Sequence, residues 1–135
     1  MANSAMNSNV EIVKGLYDSF AEGDIDAVTA TWDDAIELRE PEGIVGGGTL
    51  HGHDQILENL FTGLATDWTD VSVVPERFVD DGDTVVALTT WNGTYIETGK
   101  SVNFRGAHVF DLRDGKIVRW TSYADTALFN AATEG

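Results

Sequence analysis

The sequence contains no cysteine. That excludes disulfides and thiolate metal sites, and it fits a reducing compartment. Lysine is nearly absent too, with only Lys14, Lys100 and Lys116. No apolar run approaches the length that spans a bilayer, so no membrane association is expected. The first nine residues have neither a basic start nor an apolar stretch, so they do not read as a secretory signal. Together these absences predict a cytoplasmic protein.

What is present is acid and apolar bulk. Eight Lys and Arg stand against 23 Asp and Glu, for a formal net charge of −15. Such a chain repels phosphate backbones and anionic membranes, which argues against nucleic-acid binding. An acidic, lysine-poor surface would suit a high-salt cytoplasm, where salt screens self-repulsion; a merely acidic mesophilic protein is the other reading. Hydrophobic residues make up 42%, with four tryptophans, and this excludes a disordered chain. At 135 residues there is room for one domain with a single core.

Residues 9–22 read as an amphipathic helix, with Val13, Leu16, Tyr17 and Phe20 at helical spacing. Ser8 and Glu11 are spaced as a capping box, and Gly23 is placed to end the helix. Asp24 caps a short second helix running to about Trp32. Residues 35–40 read as a strand, and Pro41 with residues 43–48 as a loop. After Gly52 a third helix shows Ile56, Leu57, Leu60, Phe61 and Leu64 on its apolar face.

The second half changes character. Residues 71–79, 84–97, 101–113 and 116–124 are rich in β-branched and aromatic side chains and read as strands. Short turns rich in Asp and Gly separate them, so neighbours should run antiparallel. Asp125 is placed to cap a last helix containing Leu128 and Phe129. The expected organisation is a polar tail over 1–8, one α+β domain over 9–130, and a C-terminal tail over 131–135.

The element order carries recurrent words: Leu16-Tyr17-Asp18-Ser19-Phe20, Glu22-Gly23-Asp24-Ile25-Asp26, Trp32-Asp33-Asp34-Ala35, and Gly52 leading to Ile56. The longest runs from His108 through Asp114-Gly115-Lys116 to Trp120 and Tyr123-Ala124-Asp125. In this order and spacing the chain resembles the ketosteroid-isomerase, SnoaL-like and limonene-epoxide-hydrolase superfamily, also called nuclear-transport-factor-like. The resemblance covers nearly the whole chain. It implies a cone-shaped, curved, mostly antiparallel sheet with three N-terminal helices enclosing a pocket for a small apolar molecule. It also implies a homodimer built through the outward sheet face around Arg105, Val109 and Tyr123, and no cofactor. The superfamily hosts isomerases, cyclases, hydrolases and plain binding modules, so fold does not decide function.

Alternation on the third late strand puts Val102, Phe104, Gly106, His108, Phe110 and Leu112 on the inner face. His108 is thus a polar group in an apolar row, able to act as base, acid or donor near neutral pH. A buried histidine that merely satisfies a neighbour is the equal alternative. On the last strand alternation groups Val118, Trp120, Ser122 and Ala124 on one face, and aligning the Asp114-Gly115-Lys116 turn with the family implies that Trp120, Ser122 and Ala124 point into the cone. Ser122 stands where the related cyclases and epoxide hydrolases carry a catalytic aspartate, and a serine cannot replace that base. The isomerase pattern departs as well. Its helix tyrosine falls on Leu16, with Tyr17 one step around; its sheet aspartate falls on His108. Its base falls on Arg39, or on Glu40 with one inserted residue.

The candidate catalytic groups are therefore His108, Glu40 and Tyr17, with an exposed loop acid as the competing reading of Glu40. Trp120, Ser122, Phe104, Phe110, Phe20 and Trp32 are the candidate ligand-binding residues, though many aromatics of this set would serve a core equally well. His51 and His53 flank Gly52 without a third ligand nearby, so loop histidines are favoured over a metal site. Two function classes remain: an acid–base enzyme, or a binding or scaffolding module that has lost its carboxylate.

Overall fold

A computed structural model of the chain describes residues 8–134. Helix α1 (Asn9–Ala21) opens with the expected reciprocal capping box between Ser8 and Glu11. Most of the polar tail, residues 1–7, lies outside the described residues. Helix α2 (Ile25–Thr29) is capped by the Asp24 carboxylate, which accepts from the Ala27 amide at 3.1 Å. It stops short of Trp32, which already belongs to strand β1 (Trp32–Glu40).

The expected loop closes into a short strand, β2 (Gly48–His51), paired antiparallel with β1. Four residues with no clear alternation give little strand signal; the partner supplies it. The third helix is interrupted. It runs as α3 (Gly52–Ile56), a π-helical turn (Leu57–Phe61) and α4 (Thr62–Thr66). A π turn widens the helix and rotates the faces on either side. Ile56 is thereby fully buried in the main core, while Leu64 packs with a second cluster.

Strands β3 (Trp68–Asp81), β4 (Thr84–Tyr95), β5 (Ser101–Arg113) and β6 (Lys116–Tyr123) form the expected antiparallel meander. β3 is longer than its sequence signal, and bulges interrupt it near Asp70 and Pro75. It tolerates Pro75 because it is the edge strand, where a missing N–H breaks little. The tight turn between β5 and β6 places Asp114 and Gly115 at φ 53° and 76°, the left-handed pair that suits a two-residue hairpin.

The full sheet is curved and six-stranded, in the order β2-β1-β6-β5-β4-β3. Among the described residues its one parallel join lies between β1 and β6. Val13, Leu16 and Tyr17 of α1 pack with Ile36, Leu38, Phe110, Leu112 and Ile117 in the main core. The helices thus cover the face that carries His108. Helix α5 (Thr126–Thr133) starts at Asp125 as expected but runs on to Thr133, through most of the stretch read as a tail. Its Phe129 joins Trp68, Val102 and Phe104 in the second cluster. Among the described residues, no helix is long and apolar enough to cross a membrane.

Candidate functional site

Between helices and sheet lies a cavity of about 150 Å³, with a largely apolar wall. Four polar side chains meet in it, brought there by strand register. His108 on β5 lies directly opposite Ser122 on β6. On the other side of β6, β1 pairs Leu38 with Trp120 and Arg39 with Thr121. One further step along these parallel strands sets Glu40 beside Ser122. Glu40, Ser122 and His108 therefore form one row across three neighbouring strands, about 10 Å from end to end.

Tyr17 reaches this row from α1. Its hydroxyl lies 2.5 Å from His108 Nδ1, and the two rings run nearly parallel at 7°. Burial pushes the Tyr17 phenol far up, so it stays protonated and has a proton to give. Burial also lowers His108 to about 4, so the imidazole is neutral near pH 7. A phenol O–H donates well to an imidazole nitrogen, so we assign the Tyr17 hydroxyl as donor and Nδ1 as acceptor. The proton of the neutral ring then sits on Nε2, which has no protein partner among the described residues. The pair acts as one N–H donor.

Glu40 is the second chemical group. Burial raises its carboxyl to about 7, and attraction to the Ser122 hydroxyl offsets part of that rise. A carboxyl poised there exchanges a proton readily at neutral pH. Ser122 thus stands between the histidine and the glutamate, and it does not carry the acid itself. Leu16, where the resemblance places the isomerases' tyrosine, and the candidate Tyr17 both line the cavity, and Tyr17 makes the contact.

Trp120, Ser122 and Phe104 from the sheet and Phe20 from α1 line the cavity. Phe110 and Trp32 do not. Both are buried behind the wall, where Phe110 stacks on Trp120 and Trp32 on Phe61. Inward direction on a strand therefore gave burial for Phe110, but not access. Thr89 was missed. It is a buried polar residue on the inner face of β4 and lines the cavity. Its position among Val85, Ala87 and Trp91 carried the same signal as His108. Gly106, opposite Thr89, has no room for a side chain: a Cβ there would sit 2.6 Å from the Tyr123 carbonyl oxygen.

The remaining candidates disperse. Asp125 accepts from the Leu128 amide at 3.0 Å, as a cap. His51 Nδ1 lies 3.9 Å from Glu37, whereas His53 Nε2 lies 3.2 Å from the Asp33 carbonyl. Among the described residues, no three His, Cys, Asp or Glu side chains gather as a metal site.

The family model described as a SnoaL-like domain matches residues 13–120, from within α1 to within β6 and most of the chain. The chain belongs to the SnoaL-like family. An NTF2-like protein from Burkholderia thailandensis is 34% identical, with a TM-score of 0.93, and the match covers 96% of this chain and 100% of that one. TerC, co-crystallized with polyporic acid, is 28% identical with a TM-score of 0.84, covering 94% and 98%. A putative SnoaL-like polyketide cyclase from a Jannaschia species shares the fold at 21% identity and a TM-score of 0.80, covering 94% and 92%. No match to a curated protein was found. Within this SnoaL-like cone the carboxylate of the site comes from β1 rather than β6.

Proposed function

We propose that this SnoaL-like chain binds a small apolar carbonyl compound and moves a proton on it, without a cofactor. The observation that carries this reading is the row of Glu40, Ser122 and His108, completed by Tyr17, in one apolar cavity. Glu40, as carboxylate, removes a proton from the carbon beside the carbonyl. The electron pair moves onto the carbonyl oxygen, where the His108 Nε2–H donates a hydrogen bond to the developing charge. Glu40 returns the proton to another carbon in an isomerisation. In a cyclisation, the carbanion attacks a second carbonyl carbon, whose C=O π bond opens, and the resulting alkoxide takes the proton from Glu40.

The walls support the ligand class. Phe20, Trp91, Phe104 and Trp120 offer broad apolar faces. Co-crystallization of TerC with polyporic acid supports a small-molecule role for cones of this kind. We extend the reading to a homodimer, joined through the sheet face opposite the cavity. Ser122, in place of the cyclases' aspartate, favours a second reading, in which the cavity binds without catalysing.

Deuterium uptake beside the carbonyl separates the two readings. A panel of aromatic ketones would be followed by proton NMR in heavy water, with binding read by tryptophan fluorescence. The expected result is catalysed exchange that drops by at least ~100-fold in Glu40→Gln while binding persists. His108→Ala should weaken both. Tight binding with no exchange above buffer would leave the binding module standing.

A further inference from the structure

The cavity has charge of one sign only. Its titratable lining groups are Tyr17, Glu40, Asp67, Tyr95, His108 and Tyr123. Among the described residues no lysine or arginine lines it. The one imidazole is no substitute, because burial keeps His108 neutral near pH 7. Five of the protein's eight lysine and arginine side chains are engaged elsewhere. Arg39 and Arg119 both pair with Glu37, Lys14 lies over the Phe78 ring, and Lys100 and Lys116 bond to backbone carbonyls.

The two carboxylates sit in different parts of the cavity. Glu40 belongs to the polar row with Ser122 and His108. Asp67 is exposed, immediately before Trp68, where Trp68, Trp91, Tyr95, Phe104 and Phe129 pack edge to face and face to face with centroids 4.9–6.4 Å apart. Aromatic faces carry negative potential, so they attract cations as the carboxylates do. At pH 8 an anionic ligand would meet two like charges and no counter-ion among the lining residues. A ligand with an ammonium group would meet attraction from both carboxylates.

We propose that the cavity selects its ligand by charge, taking aromatic molecules that carry an ammonium group over isosteric ones that carry a carboxylate or sulfonate. This rests on the cavity being the ligand site, as proposed above, and adds the ligand's chemical class. The ammonium group faces Asp67 and the aromatic cluster, and a hydrogen-bond acceptor on the same molecule faces His108 Nε2. A simple overall repulsion of anions by a chain of charge −15 is the competing cause. Salt distinguishes the two, because at 1 M the screening length falls to about 3 Å and only contact-range charges still count.

Three naphthalene probes test the idea at pH 8: 2-naphthyltrimethylammonium, 2-naphthol and 2-naphthalenesulfonate, each titrated by quenching of tryptophan fluorescence. The ammonium probe should bind at least ~10-fold more tightly than the sulfonate, with naphthol between, in 0.15 M and in 1 M sodium chloride. Asp67→Asn should shrink the ratio. Glu40→Gln should shrink it further, and the double variant should abolish it. Equal or tighter sulfonate binding at 1 M salt overturns the proposal while leaving the cavity as a ligand site. A ratio that survives in the double variant overturns it as well. Binding of none of the probes would overturn both this proposal and the ligand site on which it rests.

Discussion

At the residue scale, two buried groups titrate in opposite senses. Glu40 is raised from its ordinary value to about 7, so the folded state holds its proton longer than the unfolded chain does. The stability it contributes is present below pH ~4.5 and lost as pH rises through 7. His108 is lowered to about 4, so its contribution is present above pH ~6.5 and lost as pH falls through 4. Between pH 4.5 and 6.5 the two slopes oppose each other. Glu40→Gln should therefore give a protein whose denaturation midpoint rises with pH across that window. His108→Phe should give one whose midpoint falls. Matching pH profiles for both variants and the parent would show that neither group is shifted as described.

At the element scale, Asp125 and His108 divide structure from function. The Asp125 carboxylate holds the first turn of α5, and α5 seats Phe129 against Trp68. Asp125→Ala should cost about 1 kcal/mol in a thermal or denaturant melt, as loss of a helix cap does. Ligand affinity should change little, since the cap stands outside the row of Glu40, Ser122 and His108. Loss of ligand binding with an unchanged melt would reverse the assignment and make Asp125 the functional acid. The element boundaries show where local signals suffice. Caps at Ser8, Asp24 and Asp125 were readable because each needs only three residues of chain. β2 was not readable, because its strand character comes from β1.

At the scale of the whole molecule, charge and the outer sheet face decide behaviour. With a net charge of −15, screening should relieve repulsion more in the compact state than in the expanded chain. The melting temperature should rise as sodium chloride increases from low ionic strength; a flat or falling trend would count against this. The face opposite the cavity carries exposed Val74 and Val79 on β3 and Leu88 on β4, and Tyr123 on β6 extends it at the cavity's edge. Register places Leu88 beside Ala107 and Ala107 beside Tyr123, so the patch is continuous. Burial of such a face against a symmetric copy suits the proposed dimer. Light scattering at micromolar concentration should give twice the mass of one chain, and Leu88→Lys should shift it toward a monomer.

Periodicity by itself determined the helices, the meander and the direction of its inner face, because those depend on neighbours within a few residues. It put His108 on the inside, the family resemblance did the same for Trp120 and Ser122, and Glu40 stayed suspended between a base and an exposed loop acid. Only the tertiary structure resolved that choice. The parallel join of β1 to β6 carries Glu40 beside a residue 82 positions later. The contact of Tyr17 with His108 spans 91 positions, so only the assembled fold brings the two side chains together. The same holds for Phe110 and Trp32, aromatic and inward or core-facing but sealed behind the cavity wall. Proton affinity follows from burial, and burial is a property of the assembled cone rather than of any segment. That is why residue types could name an acid and a histidine, while packing alone made one shareable near neutral pH and the other a fixed donor.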